Sequence, residues 1–193
     1  MGEKQTEANS MMNDAVERFI TQILKCEYCT PQRYAVHEAG HRLLWKVCFP
    51  DVRTSYSMKC GLPCVLTENP PPMDLATMDQ KTAAGLAHVK LAGIAAEMRL
   101  LCIGGAADDI SNFIITDINA IRPRLDWEDD RRNHGDISEA ISIVSSVAGR
   151  RSLAANIPMF LRNCLFVLDA ENEAYQAELR EATSYFSHRL KRS

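Results

Sequence analysis

The pentapeptide His37-Glu-Ala-Gly-His41 (HEAGH) lies inside a stretch with a helical pattern of apolar residues, at about residues 32–48. Thr30 and Pro31 precede this stretch, and they are a good N-cap and first-turn pair. Residues four apart lie one above the other on a helix, so His37 and His41 can point both imidazoles at one ion. This segment decides how the rest of the chain is interpreted.

Two histidines at this spacing, with a glutamate directly after the first, are typical of a catalytic zinc site. We expect His37 and His41 to bind Zn²⁺ and Glu38 to act as the base. Zinc would activate a water and polarise the scissile carbonyl, while Glu38 would carry the proton to the leaving amine. An HExxH pattern also arises by chance as a surface pair of histidines. The proper helix start and the small Ala39 and Gly40 favour the catalytic interpretation.

Three segments resemble the peptidase domain of the FtsH-type membrane AAA proteases. Residues 33–41 read RYAVHEAGH, where that family reads much like AYHEAGH. Residues 91–97 (LAGIAAE) resemble its LGGRAAE segment, and residues 105–110 (GAADDI) resemble its GAxNDI segment, which supplies the third zinc ligand. The resemblance covers about residues 32–121. It implies a mainly α, FtsH-like zincin fold with a small β-element after the HEAGH helix.

The resemblance also assigns residues to roles. By position, Asp109 would be the third zinc ligand, and Asp108 occupies the place of the family's asparagine. Glu97 would lie beside the zinc site as an orienting group. By chemistry alone Glu97 is also a plausible ligand, and helix periodicity does not decide between Asp108 and Asp109. The choice of Asp109 therefore depends on the resemblance.

The chain also departs from that family. It has no G-x-x-x-x-G-K-[ST] motif and no run of about 20 apolar residues that could span a membrane. Ile94 stands where the family has arginine. We therefore expect an ATP-independent metalloendopeptidase for flexible or specifically docked protein or peptide substrates, unless an unfoldase acts in trans. The alternative is a non-catalytic or regulatory binding protein on the same fold.

The composition of the chain limits its fold class, its partners and its cellular location. The 193 residues are 46% hydrophobic and 24% charged, which predicts one globular domain with a real core. A formal net charge of -3 argues against nucleic acid as a partner. Seven cysteines and no apolar leader indicate a reducing, cytoplasmic location. The sequence does not decide whether the protein forms a homo-oligomer through its C-terminal helices.

Two close cysteine pairs flank the HEAGH helix, Cys26 with Cys29 and Cys60 with Cys64. Four thiolates at such spacings can assemble a structural zinc site. The alternatives are small buried thiols or a redox-sensitive pair.

The remaining pattern predicts the order of elements. We expect a helix at about residues 13–25, one or two strands within 52–68 and helices at 74–101 and 107–121, followed by a charged linker at 122–135. Residues 136–139 have the form of a capping box, and Pro158 fits the first turn of a helix. The zinc-site core would span about 13–121 and a C-terminal helical part about 136–190, within one domain over residues 1–193. Residues 62–68 would be an edge strand beside the zinc cleft.

Overall fold

A computed structural model describes residues 14–25, 30–116, 131–149 and 152–190, with the backbone alone for residues 131–134. Over these residues the protein is mainly helical, with one two-stranded sheet. The prediction of a helical fold with a small β-element after the HEAGH helix is confirmed at this level. The elements are α1 (Phe19–Leu24, π-helical), α2 (Pro31–Cys48), β1 (Arg53–Lys59), β2 (Leu62–Glu68), α3 (Gln80–Leu100), α4 (Ala107–Thr116), α5 (Arg131–Ala148), α6 (Leu153–Val167) and α7 (Glu173–Arg189).

Helix α2 carries the HEAGH segment and begins where its local sequence predicts. The Thr30 side chain accepts a hydrogen bond from the backbone N–H of Arg33 at 3.2 Å, and Pro31 is the first helical residue. Proline is tolerated there because the first-turn N–H groups have no partner inside the helix. The helix ends at Cys48, before Phe49 and Pro50. Its start and length place both histidines in its middle.

The β-element is an antiparallel hairpin of β1 and β2. Lys59 pairs with Leu62, which leaves Cys60 and Gly61 as a two-residue turn. Both turn residues have positive φ, 52° and 81°, as the tight hairpin turns that match strand twist require. Both strands pack against α2, so the hairpin forms one wall beside the HEAGH face.

Helix α3 is the central neighbour of α2, but it starts later than the pattern predicts. Asp79 caps it by accepting from the backbone N–H of Thr82 at 2.9 Å, so the helix begins at Gln80 and not at residue 74. Asp74 instead caps a separate turn through the N–H of Ala76 at 3.0 Å. Side-chain oxygens of aspartate compete for backbone N–H groups in this way, which makes helix starts hard to place from sequence.

Small residues let α2 and α3 approach closely. A Cβ added at Gly40 would lie 2.6 Å from the backbone oxygen of Ala92 and 3.0 Å from the Cβ of Ala96. The first neighbour is main chain of a packed helix, so it can move only if the two helices separate. Gly40 is thus required by the helix contact.

Gly40→Ala is expected to lower the free energy of unfolding by about 1–3 kcal/mol, the usual range for overpacking a core. The loss should appear although alanine favours a helix by up to about 1 kcal/mol over glycine. Urea unfolding of the metal-free protein measures it. Gly105→Ala is the matched control, because a Cβ there would meet nothing within 4 Å. A Gly40→Ala variant as stable as the native protein would contradict the close helix contact.

The C-terminal helices enclose this pair. Helices α5 and α6 pack on α3, and α7 packs on α2. On α7, the buried Glu178 accepts a hydrogen bond from the Tyr56 hydroxyl at 3.1 Å and an ion-paired bond from Lys46. This contact ties α7 to both α2 and β1.

Two predicted helix starts in the C-terminal part are wrong. Helix α5 is already helical at Arg131, so Asp136 lies beyond its first turn and the capping box at 136–139 does not form. Pro158 lies inside α6 and not in its first turn. The predicted linker at 122–135 is described only from residue 131, where it is already helical. Among the described residues we find no helix with the length and apolar character needed to cross a membrane.

The apolar core takes side chains from the N-terminal and the C-terminal helices alike. A few polar side chains are buried with it. They are Arg33, His37, Glu38, Glu97, Ser111 and Glu178. Buried charged groups need partners, so the cluster among them that surrounds the HEAGH segment marks the candidate site.

Candidate metal centre

Three side chains from two distant helices meet at one point. The Nε2 atoms of His37 and His41 are 2.9 Å apart, and Oδ2 of Asp136 lies 3.2 Å and 3.0 Å from them. His37 is fully buried, and the side chains of His41 and Asp136 are 12% and 15% exposed. Helix α2 supplies the histidines and α5 supplies the aspartate. Among the described residues, this trio is a group that could hold a metal ion.

The hydrogen bonds on the far side of each imidazole determine which nitrogen faces this point. His41 Nδ1 lies 2.7 Å from the backbone oxygen of Val89, and His37 Nδ1 lies 2.6 Å from Oε1 of Glu97. A carbonyl and a carboxylate both accept, so each Nδ1 must donate. Neutral rings would then present bare Nε2 lone pairs to each other and to Asp136. That arrangement is repulsive unless a cation, either a metal ion or a proton on one ring, lies between the three atoms.

The distances fit a metal ion. With edges of 2.9–3.2 Å, the triangle of donor atoms leaves a point about 2 Å from all three, which is the usual Zn–N and Zn–O length. Two imidazoles and one carboxylate suit zinc and also other first-row transition metals. The geometry therefore indicates a metal site without identifying the metal.

The electrostatics agree with a cation at this point. Burial lowers the pKa of His41, but the charge and hydrogen bond of Asp136, with the charge of Glu38, outweigh it and raise that pKa above its ordinary value. For Asp136, burial raises the pKa, and the two imidazoles more than reverse this and hold it well below its usual range. The site thus favours positive charge between the histidines and an ionised Asp136.

A buried ion pair holds the His37 ring in place. Glu97 accepts from His37 through Oε1 and from Arg33 Nε through Oε2, and Arg33 Nη2 donates to the backbone oxygen of Ile23 at 3.0 Å. Glu97 lies on the Nδ1 side of His37, away from the three converging donor atoms. This is the position of an orienting group, and such partners fix the tautomer of a metal-binding histidine.

The sequence pattern does not identify Arg33 as a site residue. The available signal was its position one turn before His37 on the same helix face. It could not reveal that the guanidinium would reach Glu97, which is 64 residues away in the chain.

Glu38 is 4% exposed and lines the cavity that opens from the trio. Its charge contributes to the raised pKa of His41 and, after burial, to the raised pKa of the Cys64 thiol. The carboxylate is therefore close to both. The cavity has a volume of about 280 Å³, and its walls are Trp45, Pro63, Cys64, Val65, Val89, Lys90, Gly135 and Glu139, together with the trio and Glu38.

Asp109, the third ligand implied by the resemblance, is not part of the trio. It lies half-buried in the first turn of α4, a helix that packs mainly against α6. Its neighbour Asp108 is exposed, 3.4 Å from Arg162. Asp136 instead joins the histidines. A sequence signal for it existed, because Asp136-Ile137 repeats the Asp109-Ile110 pair.

The cysteine pairs are described only in part. Cys26 and Cys29 lie outside the described residues. Cys60 is exposed at the hairpin turn, and Cys64 is half-buried on β2 at the cavity wall. The four-thiolate zinc site stays a prediction.

Comparison of the chain with protein-family models, with curated proteins and with solved structures found no match. The interpretation of the site therefore depends on its geometry and on the sequence motifs.

Proposed function

We propose that this protein is a zinc-dependent metalloendopeptidase of the FtsH-like type. The observation that carries the proposal is the convergence of three lone-pair donors beside a buried glutamate, in a cavity open to solvent. The HEAGH and LAGIAAE segments support the family assignment, whereas Asp109 of the GAADDI segment lies outside the trio. Zinc is proposed because its chemistry with two histidines, a carboxylate and an adjacent glutamate is peptide hydrolysis.

In this proposal His37, His41 and Asp136 hold the metal. When bound, zinc supplies Lewis acidity, which lowers the pKa of water at the site to about 7 and polarises a substrate carbonyl. Glu38 accepts a proton as the water oxygen bonds to the carbonyl carbon. It then gives that proton to the amine nitrogen as the C–N bond breaks.

The surrounding residues act by orientation. Glu97 and Val89 keep both histidines in the tautomer that leaves Nε2 bare. Arg33 stabilises the negative charge of Glu97, which would otherwise be buried without compensation.

The cavity suggests how a substrate lies. Strand β2 contributes Pro63, Cys64 and Val65 to the wall, so it is the strand of the hairpin that borders the site. An extended peptide could pair with its edge through backbone hydrogen bonds, except at Pro63, which has no N–H. A cleft of about 280 Å³ beside a strand edge suits an extended segment. Flexible or specifically docked proteins are therefore the proposed substrates.

The proposal is tested by metal dependence and by the identity of the third ligand. We expect the zinc-loaded protein to cleave peptides from a mixed library, to lose this activity with a chelator and to regain it with zinc. Asp136→Asn should lower zinc affinity by more than about 100-fold, beyond the 10–100-fold typical of outer partners. Asp109→Asn is the matched control and should leave the affinity unchanged.

Two outcomes would contradict this. If Asp109→Asn lost zinc affinity and Asp136→Asn did not, the third ligand would be Asp109, as the family resemblance implies, and not Asp136. A zinc-loaded protein that cleaves no peptide would contradict the proposed peptidase activity. The alternative of a metal-dependent binding protein would then remain.

A further inference from the structure

Lys90 is a charged residue at the cavity that neither the motif nor the proposed chemistry uses. It follows Val89, whose carbonyl holds His41, on helix α3. Its ammonium lies 2.5 Å from Oε2 of Glu139 and 3.8 Å from Oδ1 of Asp136. The side chain is 23% exposed and lines the cavity.

The two oxygens of Asp136 have different neighbours. Oδ2 faces both Nε2 atoms, whereas Oδ1 faces Lys90. If both oxygens bound the metal, the aspartate would occupy an additional coordination position. An ammonium beside Oδ1 stabilises the arrangement in which only Oδ2 binds, and this leaves a position for water or substrate.

A positive charge so near a metal site would ordinarily weaken metal binding by repulsion. Glu139 offsets this, because its carboxylate is in contact with the same ammonium. Lys90 and Glu139 together add no net charge. Asp136 and Glu139 are three residues apart on α5, so they share one helix face, and Lys90 also holds this turn of α5 against α3.

We propose that Lys90 is a positioning residue that makes Asp136 a one-oxygen metal ligand and keeps a coordination position open. This inference rests on the proposed function, because it needs a metal at the trio. It assigns to Lys90 an effect on the metal itself. A lysine that contacted only the substrate would not change metal affinity.

The experiment compares Lys90→Met with Lys90→Arg and with Lys81→Met, a control at an exposed lysine of the same helix. Zinc affinity is measured by competition with a chromophoric chelator, and metal-free stability by thermal unfolding. We expect Lys90→Met to raise zinc affinity about 10-fold, because the ammonium no longer repels the ion, Glu139 is left uncompensated and Oδ1 is free to bind. Lys90→Arg should keep zinc affinity close to the native value, because a guanidinium also places a positive charge beside both carboxylates. Lys81→Met should match the native protein.

The cobalt(II)-loaded protein gives a second readout that does not depend on activity. The visible absorption of cobalt(II) weakens as its coordination number rises above four. Lys90→Met should therefore show weaker absorption than the native protein, and Lys90→Arg should restore it. A loss of folding alone would not produce this pattern at full metal loading.

Native zinc affinity and an unchanged cobalt spectrum in Lys90→Met would overturn the inference and leave the proposed function standing. A fall in peptide cleavage alone, with the metal readouts unchanged, would also overturn it and make Lys90 a substrate contact. Failure of the native protein to bind zinc would instead overturn the proposed function and this inference together.

Discussion

Glu38→Gln is expected to reduce peptide cleavage by about 10²–10⁴-fold, the usual contribution of a general base, while zinc remains bound. Glutamine has nearly the same shape as glutamate, but its amide cannot accept the proton of the attacking water. Glu38 is not in the trio of converging donor atoms, so the zinc content should not change. The values to measure are kcat/KM on a fluorogenic peptide and the zinc stoichiometry of the same sample.

Glu171→Gln serves as the control, because Glu171 is exposed on the connection between α6 and α7. It should cleave at the native rate. Native activity in Glu38→Gln would show that another group takes the proton, and the proposed mechanism would fail. If Glu38→Gln lost both zinc and activity, Glu38 would instead contribute to metal binding.

Gly93→Ala is expected to lower zinc affinity by more than about 100-fold, a larger loss than removal of an outer partner causes. A Cβ at this position would lie 2.5 Å from His37 Nε2 and 2.6 Å from His41 Nε2. The His37 ring has no room to retreat, since it is fully buried and held at Nδ1 by Glu97. The added methyl group would therefore displace the donor atoms.

The Gly93→Ala variant distinguishes an effect on metal binding from an effect on folding. Alanine is a better helix former than glycine by up to about 1 kcal/mol, so the metal-free variant should still fold. Competition with a chromophoric chelator measures its zinc affinity, and Gly105→Ala is the control with no close neighbour. Native zinc affinity in Gly93→Ala would mean that the imidazoles do not occupy the positions described here.

The sequence predicted well where local physics decides. The start of α2 follows from the side chain of Thr30 and the fixed φ of Pro31. The hairpin turn at Cys60-Gly61 lies between two β-compatible stretches. The sequence pattern predicts the start of α3 too early because two aspartates, Asp74 and Asp79, can each cap a turn.

The sequence by itself determined that His37 and His41 share a helix face, because a spacing of four residues makes them neighbours on any α-helix. It did not determine what completes the trio. Asp109 and Asp136 each precede an isoleucine, and local pattern does not separate them. Only the packing of α5 on α3 brings Asp136, 95 residues from His41, within 3.0 Å of its ring. The contact of Arg33 with Glu97 across 64 residues has the same origin, since contacts between distant segments depend on how helices pack and not on local sequence.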